Sequence, residues 1–354
     1  PGGTARGDKE KVSETKRPTT TLLSITVAVT AAFVLVICAV ILFSDDPFHT
    51  LVSFFTAPFK GRYYFGNFLN TAGILTIAGT GMALAFRGGV FNLGGEGQVY
   101  SSALAATLFL LWAGPVGIGG VPAIALSLLL AAFTGAFIAS VSGFLKMKWN
   151  TDELISSFLL SSSLVYVIDY LITGPLRDTS SYLLSSPEIA EEFRLTPLLP
   201  PSHLNISFIA ALLIAIASFR FLFHSSSGYE LRMCGLNREF ARYGGIPVKR
   251  YDLIPMGLSG ALYGLAGGFY VTGTQYAAIQ GFTTGIGWNG IAVALVARTH
   301  PLFTLPAAML FSFIEVGARN ATVVADFSSE LGSIVRATVL FLITLRISAG
   351  RWKK

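Results

Sequence analysis

Ten apolar runs divide this chain, and they restrict its fold more than any motif does. They cover about residues 22–43, 66–86, 91–113, 121–145, 153–173, 205–223, 253–274, 286–298, 301–318 and 332–347. In hydrocarbon a backbone N–H or C=O finds no water, so a lipid-facing run must satisfy its own polar groups by coiling into a helix. Roughly 20 residues then span the bilayer. The eighth run is shorter, and only "RTHP" (Arg298–Pro301) separates it from the ninth. Composition agrees: 12% of residues are charged and 53% hydrophobic, with a mean hydropathy of +0.64. A soluble domain carries about 25% charged residues. The expected fold is an all-α polytopic membrane protein of about ten transmembrane helices.

The connections carry the charge. The net charge of +6 sits in short polar segments, which reads as the positive-inside bias of membrane proteins and not as a nucleic-acid surface. Pro1–Thr20, with five Lys or Arg and three Asp or Glu, reads as a disordered cytoplasmic tail. Residues 21–350 read as a single transmembrane domain. Its first run lacks an A-x-A cleavage signal and is expected to stay as a signal anchor. "KMK" (Lys146–Lys148), the loop 224–252 with Arg232, Arg238, Arg242, Lys249 and Arg250, and the terminal "RWKK" are all basic. The loop 174–204 holds Asp178, Glu188, Glu191 and Glu192 against Arg177 and Arg194. With ten spans and both termini cytoplasmic, these basic segments fall inside and the acidic loop outside; Lys60 and Arg62 are the exception. An amphipathic piece near Phe48–Phe59 is expected on the outer interface.

Polar residues and glycines interrupt the apolar pattern at "FNLGGEGQ" (Phe91–Gln98), just after "AFRGG" (Ala85–Gly89). Asn92, Glu96 and Gln98 stand where a charge costs a few kcal/mol or more. The glycines permit a helix break, which membrane depth tolerates only against protein or a water-filled cavity. Two readings follow: a broken helix lining or closing a path, or a Gly-rich hairpin at the cytoplasmic face. The seventh run carries Gly257, Gly260, Gly264 and Gly267 on one helix face, which lets another helix approach closely. "GIGWNG" (Gly285–Gly290) matches G-x-G-x-x-G, but no βαβ unit surrounds it and the dinucleotide reading is rejected. Trp288 and Asn289 within it are candidates to face a permeation path. Glu315 and Arg319, four apart, are placed to pair. Asp169, near the outer end of the fifth run, stays open.

Asn237 is a suitable N-cap and Gly244 a suitable C′ residue for a short helix in the basic loop, with Phe240, Ala241 and Tyr243 on its apolar side. Outside the membrane such a helix is a docking element or an interfacial helix on lipid. The two cysteines, Cys38 and Cys234, and the scattered His49, His203, His224 and His300 form no disulfide framework or metal-ligand spacing. There is no G-x-x-x-x-G-K-[ST] segment, so any ATPase driving this protein is a separate chain.

Taken in order, five segments resemble the permeases of ABC importers related to the ribose and branched-chain amino acid systems, nearest to the nucleoside and riboflavin branch. They are "FNLGGEGQ", "NTDELISSFLLS" (Asn150–Ser161), "GLNREFARYGGI" (Gly235–Ile246), "LSGALYGLAG" (Leu258–Gly267) and "GWNGIAVALVARTHP" (Gly287–Pro301). Phe240 stands where the third segment usually has a small residue, and "VARTHP" replaces a commoner L-x-x-x-N-P ending. The resemblance implies a type II importer-like fold with broken helices in its core. It also implies a bacterial plasma-membrane location. The expected partners are a second permease, identical or not, two ATPase subunits holding ATP and Mg, and an extracytoplasmic solute-binding protein. The solute would be a nucleoside, riboflavin or a sugar. Asn92, Glu96, Gln98, Trp288 and Asn289 then become translocation-path candidates, with Asn92 and Glu96 holding the bend or touching solute. Asn237, Phe240, Ala241, Tyr243 and Gly244 become the ATPase-coupling segment. The alternative is an ion-coupled secondary transporter that uses Glu96, Asp169 or Glu315 at a broken helix. A non-transport subunit of a membrane complex is a further rival; the docking loop argues against both.

Overall fold

The computed structural model describes residues 46–283 and 285–324, with positions 30, 33, 34, 37, 38, 40, 41 and 44 before them. Among these, eleven α-helices follow one another: α1 (Pro47–Thr56), α2 (Arg62–Arg87), α3 (Gly95–Val116), α4 (Gly120–Trp149), α5 (Glu153–Thr173), α6 (Ile206–His224), α7 (Ser226–Leu236), α8 (Arg238–Tyr243), α9 (Arg250–Tyr270), α10 (Ile286–Val296) and α11 (Thr304–Val324). Their starts follow from local chemistry. Asp152 accepts from Leu154 N, Asn205 from Ser207 N, Ser225 from Gly228 N and Asn237 from Phe240 N, so each supplies an N-cap oxygen.

Six helices in the described residues are long and apolar enough to cross a membrane: α2 to α6, and the stretch Pro301–Val323, which takes in all of α11 but its last residue. Six of the expected ten spans are thus found among the described residues, and the count of ten is not confirmed. The eighth run proves to be an 11-residue helix, too short for roughly 20 residues of hydrocarbon. The first run is described only at scattered positions, and the last, 332–347, lies outside the described residues, as do 1–20 and both termini. With six such helices, the chain is a multi-pass membrane protein.

α2 is the axis of the bundle. Of its most apolar stretch 89% is buried inside the protein, against 22% for α5. Around it pack α9, α10, α11 and α6. Helices α4 and α9 make the most extensive pairing, because glycine removes the side chains between them. A Cβ at Gly260 would lie 2.2 Å from Gly135 O, and one at Gly264 would lie 2.1 Å from Ala131 O. Gly267 meets α3 in the same way, 2.3 Å from Val99 O, while Gly257 faces only Ser140 Oγ at 3.0 Å. So the small-residue face expected from spacing serves two neighbours. The amphipathic piece near Phe48–Phe59 is α1 and the 3₁₀ turn after it. α1 buries Ser53 and Phe54 against Asn320 and Gly317 of α11 and leaves Phe48 exposed.

After α9 the chain makes a π-helical turn, Val271–Gln275, then runs without regular structure to α10. The loop 174–205 folds over this stretch and satisfies its backbone. Leu195 N donates to Thr272 O, Ile189 N to Tyr276 O, Ser186 N to Ala278 O and Gln280 N to Leu184 O. That pairing is what allows irregular chain at this place in a membrane bundle.

Candidate functional site

Two broken helices meet inside the bundle. Beyond α2 the chain turns back through Gly88 and Gly89, passes through irregular chain and a second turn at Leu93–Gly94, and starts α3 at Gly95. The depth of that start can be followed through neighbours. Gly95 lies against the Tyr263 ring, Tyr263 against Gly290, and Gly290 against Ala78 of α2. Ala78 precedes the end of α2 by nine residues, which is about 13 Å at 1.5 Å per residue. Of the two readings of "FNLGGEGQ", the geometry is that of a break within the bundle.

Glu96, in the first turn of α3, faces the N-terminus of α10. Its Oε1 accepts from Gly285 N at 3.1 Å and its Oε2 from Gly287 N at 2.9 Å. The first N–H groups of a helix lack intrahelical partners, and the helix dipole favours an anion there. A carboxylate from another helix thus caps α10 from 189 residues away in sequence. Glycine is required on both sides of the contact. Gly285 adopts φ +84°, and a Cβ on Gly287 would lie 2.2 Å from Glu96 N. Tyr263 O–H closes the junction by donating to Gly287 O at 3.1 Å.

Asn92 and Gln98 are buried and pair reciprocally, Nδ2 to Oε1 and Nε2 to Oδ1, both at 2.9 Å. Asn92 also accepts from Gly94 N and donates to Ser259 Oγ. Ser157 and Ser161 of α5 accept from Leu93 N and Gly97 N. The polar side chains of "FNLGGEGQ" therefore bond the protein itself and hold the unwound backbone. Of the two other path candidates, Trp288 is exposed, with its ring 6.2 Å from that of Phe158. Asn289 lines a cavity of 460 Å³.

That cavity lies between the start of α2, the π-helical turn, the first turn of α10 and the last turns of α11. Tyr63, Tyr64, Asn67, Asn70, His203, Tyr270, Gln275, Glu315 and Arg319 contribute to its wall. Asn70 Nδ2 donates to Thr274 Oγ1 at 2.9 Å, and Asn205 Nδ2 donates to Gly273 O, which ties the π-helical turn to α2 and the start of α6. Sequence reasoning missed Asn67, Asn70 and Gln275. A signal existed: Tyr63, Asn67, Asn70 and Ile74 recur at i, i+4, i+7 and i+11, one face of α2.

The three carboxylates open to an ion-coupling role all have partners. Glu96 is described above. Asp169 accepts from Tyr100 O–H at 2.5 Å, and Tyr100 in turn accepts from Gly281 N. Glu315 pairs with Arg319 at 2.8 Å, as their spacing predicted. No group of three or more His, Cys, Asp or Glu gathers among the described residues, and Cys38 and Cys234 are free thiols.

At the opposite end of α9 stands the basic loop. α8 forms as expected between Asn237 and Gly244, with one correction. Gly244 is the C-cap at φ −74°, and Gly245 is the left-handed C′ residue at φ +80°. The bonds Gly245 N to Arg242 O and Ile246 N to Ala241 O make this a Schellman ending. Arg238 grips the buried Asp252 with two hydrogen bonds, one of them 2.6 Å, and so fixes α8 to α9. That carboxylate holds the Arg238 guanidinium above its ordinary pKa. Ala241 is buried with Leu231, Val248 and Tyr251, whereas Phe240 is 61% and Tyr243 88% exposed. In "VARTHP", the Arg298 and Thr299 carbonyls accept from the Arg87 guanidinium, which anchors the α10–α11 turn to the end of α2.

Residues 64–344 match the family described as branched-chain amino acid transport system / permease component. The chain is 32% identical over 91% of its length, and 85% of the relative's, to the Probable riboflavin import permease protein RfuC of Treponema pallidum. It is 31% identical over 82% of its length, and 85% of the relative's, to the guanosine ABC transporter permease protein NupP of Bacillus subtilis. It is 29% identical over 86% of its length, and 83% of the relative's, to the glucose ABC transporter permease protein TsgB13 of Haloferax volcanii.

Proposed function

Because the chain belongs to the permease component family of branched-chain amino acid transport systems, and is a membrane permease of the ABC transporter class, we propose that it imports a flat polar solute, a nucleoside or riboflavin. The observation that carries this reading is the floor of the cavity. Ile286 and Asn289 of α10 line it, and Glu96 pins the N-terminus of that same helix. Moving α10 would open or close the cavity toward the basic end of the bundle. The aromatic rings of Tyr63, Tyr64 and Tyr270, with the amides of Asn67, Gln275 and Asn289, offer stacking faces and paired donors and acceptors. A heterocycle uses both. The names of the riboflavin and guanosine relatives point the same way, and that of the glucose relative keeps a sugar as the competitor.

The work of import falls to partner chains. α8 offers Phe240 and Tyr243 to an ATPase that holds ATP and Mg, as a helix laid into a groove. Two ATPase copies, a second permease, and a solute-binding protein on the side of the acidic loop complete the assembly. Both termini lie in the cytoplasm in this reading, by the charge of the loops. Coupling to an ion is disfavoured, because Glu96, Asp169 and Glu315 each already have a partner.

The test is uptake of labelled nucleosides, riboflavin and glucose into vesicles carrying the whole complex. Uptake should stop with an ATPase that cannot hydrolyse ATP and continue with an ionophore present. The reverse pattern would overturn the ATP-driven reading, and uptake of glucose alone would overturn the solute.

A further inference from the structure

Two arginines at the basic end of the bundle share one aromatic ring. Arg232 of α7 lies over the Phe223 ring, Cζ 5.0 Å from its centroid, and Arg87 of α2 lies over the same ring at 5.7 Å. Neither forms an ion pair among the described residues. Arg87 spends its Nε and one Nη on the Thr299 and Arg298 carbonyls. Arg232 has no hydrogen bond there, and its Nε is buried without a partner. His300 stacks on Phe223 as well, ring centroids 5.3 Å apart, and its Nδ1 is also buried without a partner. Burial and the neighbouring Arg87 hold the His300 imidazole below its ordinary pKa, so it adds a neutral donor or acceptor and not a third charge. Two partly buried cations with no counter-charge are costly unless something supplies an anion.

The surface leading to this spot says what kind of anion fits. Ile206, Ile209, Leu213, Ile216, Arg220 and Phe223 recur at i, i+3, i+7, i+10, i+14 and i+17, a single stripe along α6. The four aliphatic residues are exposed and so is Arg220, while Phe223 is half-buried beneath the two guanidiniums. The stripe is about 25 Å long at 1.5 Å per residue. Its last part, from Leu213 to Phe223, is about 15 Å long, half of a roughly 30 Å hydrocarbon core. An apolar track one leaflet deep that ends in arginines has the shape of an acyl chain with an anionic head.

We propose that Arg232, Arg87 and Phe223 form a binding site for the phosphate of an anionic phospholipid whose acyl chain lies along the α6 stripe. The Arg232 guanidinium and the free edge of Arg87 supply the positive charge for the phosphate, and both cations pack on the Phe223 ring. The site rests on the membrane-spanning reading of α6 and not on any solute or on the direction of transport. Lipid binding and uptake can therefore fail separately.

Purified complex in detergent is given phosphatidylglycerol or phosphatidylcholine of the same chains, and retained lipid is counted by native mass spectrometry. The wild type should retain phosphatidylglycerol about fivefold more than phosphatidylcholine, and Arg232→Gln should bring that ratio close to one. The factor corresponds to about 1 kcal/mol, the contribution of one basic residue at an anionic head, and it is assigned to Arg232 because Arg87 already bonds the Thr299 and Arg298 carbonyls. Arg232→Lys, which keeps the charge, should restore most of it and shows that the loss is not misfolding. Inorganic phosphate at millimolar concentration should leave lipid retention unchanged. Equal retention of both lipids by the wild type, undiminished preference in Arg232→Gln, or displacement by inorganic phosphate would each overturn the proposal. So would a cross-link from Leu213 or Ile216 to another protein segment in the assembled complex, which would show that protein covers this part of the stripe.

Discussion

At the start of α3, Asn92, Glu96 and Gln98 have all found partners inside the protein. On α8, Phe240 and Tyr243 have found none. Yet both regions are short, irregular and built on the same long helix, α9. Ser259 and Tyr263 brace the first, and Asp252 anchors the second. The contrast separates two uses of a helix end. At the break, the orphan N–H groups of α10 are satisfied by Glu96, so its position is set before any solute arrives. At α8, the cap, the Arg238–Asp252 pair and buried Ala241 fix a frame, and the aromatic residues it carries, Phe240 and Tyr243, stay exposed outside the protein's own core. A mutation at the break should therefore change the permease itself. A mutation on the outer side of α8 should change only what the permease can hold.

Glu96→Ala should have the largest effect. It leaves Gly285 N and Gly287 N without their charged acceptor, and a hydrogen bond to a charged group contributes about 1.5–3 kcal/mol. A loss of about 3 kcal/mol at the junction should lower the thermal midpoint of purified permease and cut uptake at least tenfold. Glu96→Gln, which keeps one acceptor but loses the charge, should fall between. If Glu96→Ala transports normally at normal stability, the break is not a lock and the comparison collapses.

The frame of α8 comes next. Removing one member of a buried ion pair costs 3–5 kcal/mol. Arg238 is partly in water, so Arg238→Ala should sit at the low end, about 3 kcal/mol of permease stability. Replacing both partners with apolar residues, Arg238→Met with Asp252→Leu, should recover most of that, since no buried charge is then left alone. Thermal unfolding of the single and double variants reads this directly. A double variant no better than the single one would mean that the pair does more than neutralise Asp252.

What the sequence made legible follows the same division. The glycine face of α9, the Glu315–Arg319 pair and α8 all depend on residues within a few positions of one another, so helical spacing displayed them. Glu96 stood out because a carboxylate in an apolar run is expensive, but its partners Gly285 and Gly287 lie 189 and 191 residues on. No local pattern carries that distance. The cavity was hidden for another reason. The face that Tyr63, Asn67 and Asn70 share is confined to the first turns of α2, and the rest of that helix is buried nearly all round, so the pattern is too short to stand out as a cavity wall. The eighth run looked like a short span because its apolar length is real. Its missing half is irregular chain, held by a loop whose bonds are backbone to backbone and leave no mark in side-chain chemistry. The one-residue shift from Gly244 to Gly245 has the same cause: either glycine can take φ > 0, and only the bonds of the Schellman ending choose.

Phe240→Ala tests the exposed side of the comparison. With most of its ring outside the protein, truncation should leave permease stability unchanged. If an ATPase groove receives the ring, docking should weaken by about 2 kcal/mol, roughly thirtyfold, as at interface hot spots. Co-purification of the ATPase and permease-stimulated ATP hydrolysis measure it. Undiminished recovery of both would remove Phe240 from the docking surface and leave α8 as a helix lying on lipid.

The smallest effect belongs to Asn237, and it tests whether the frame and the exposed ring act together. α8 has six residues, far below the length at which a helix holds itself in water. Its order comes from the Asn237 cap at one end, Arg238 on Asp252, Ala241 in the core and the Schellman ending at Gly245. Asn237→Ala removes one of these, worth about 1 kcal/mol for an N-cap oxygen. The other three anchors remain, so permease unfolding should barely move. The first turn should fray, and Phe240 at its end should lose its fixed direction. ATPase docking should then weaken about fivefold, the factor matching about 1 kcal/mol, between wild type and Phe240→Ala. Asn237→Asp or Asn237→Ser, which restore a capping oxygen, should recover it. In the Phe240→Ala background Asn237→Ala should add almost nothing, because a cap that only aims the ring has nothing left to aim. Additive losses would show instead that the cap orders a wider docking surface than that one ring.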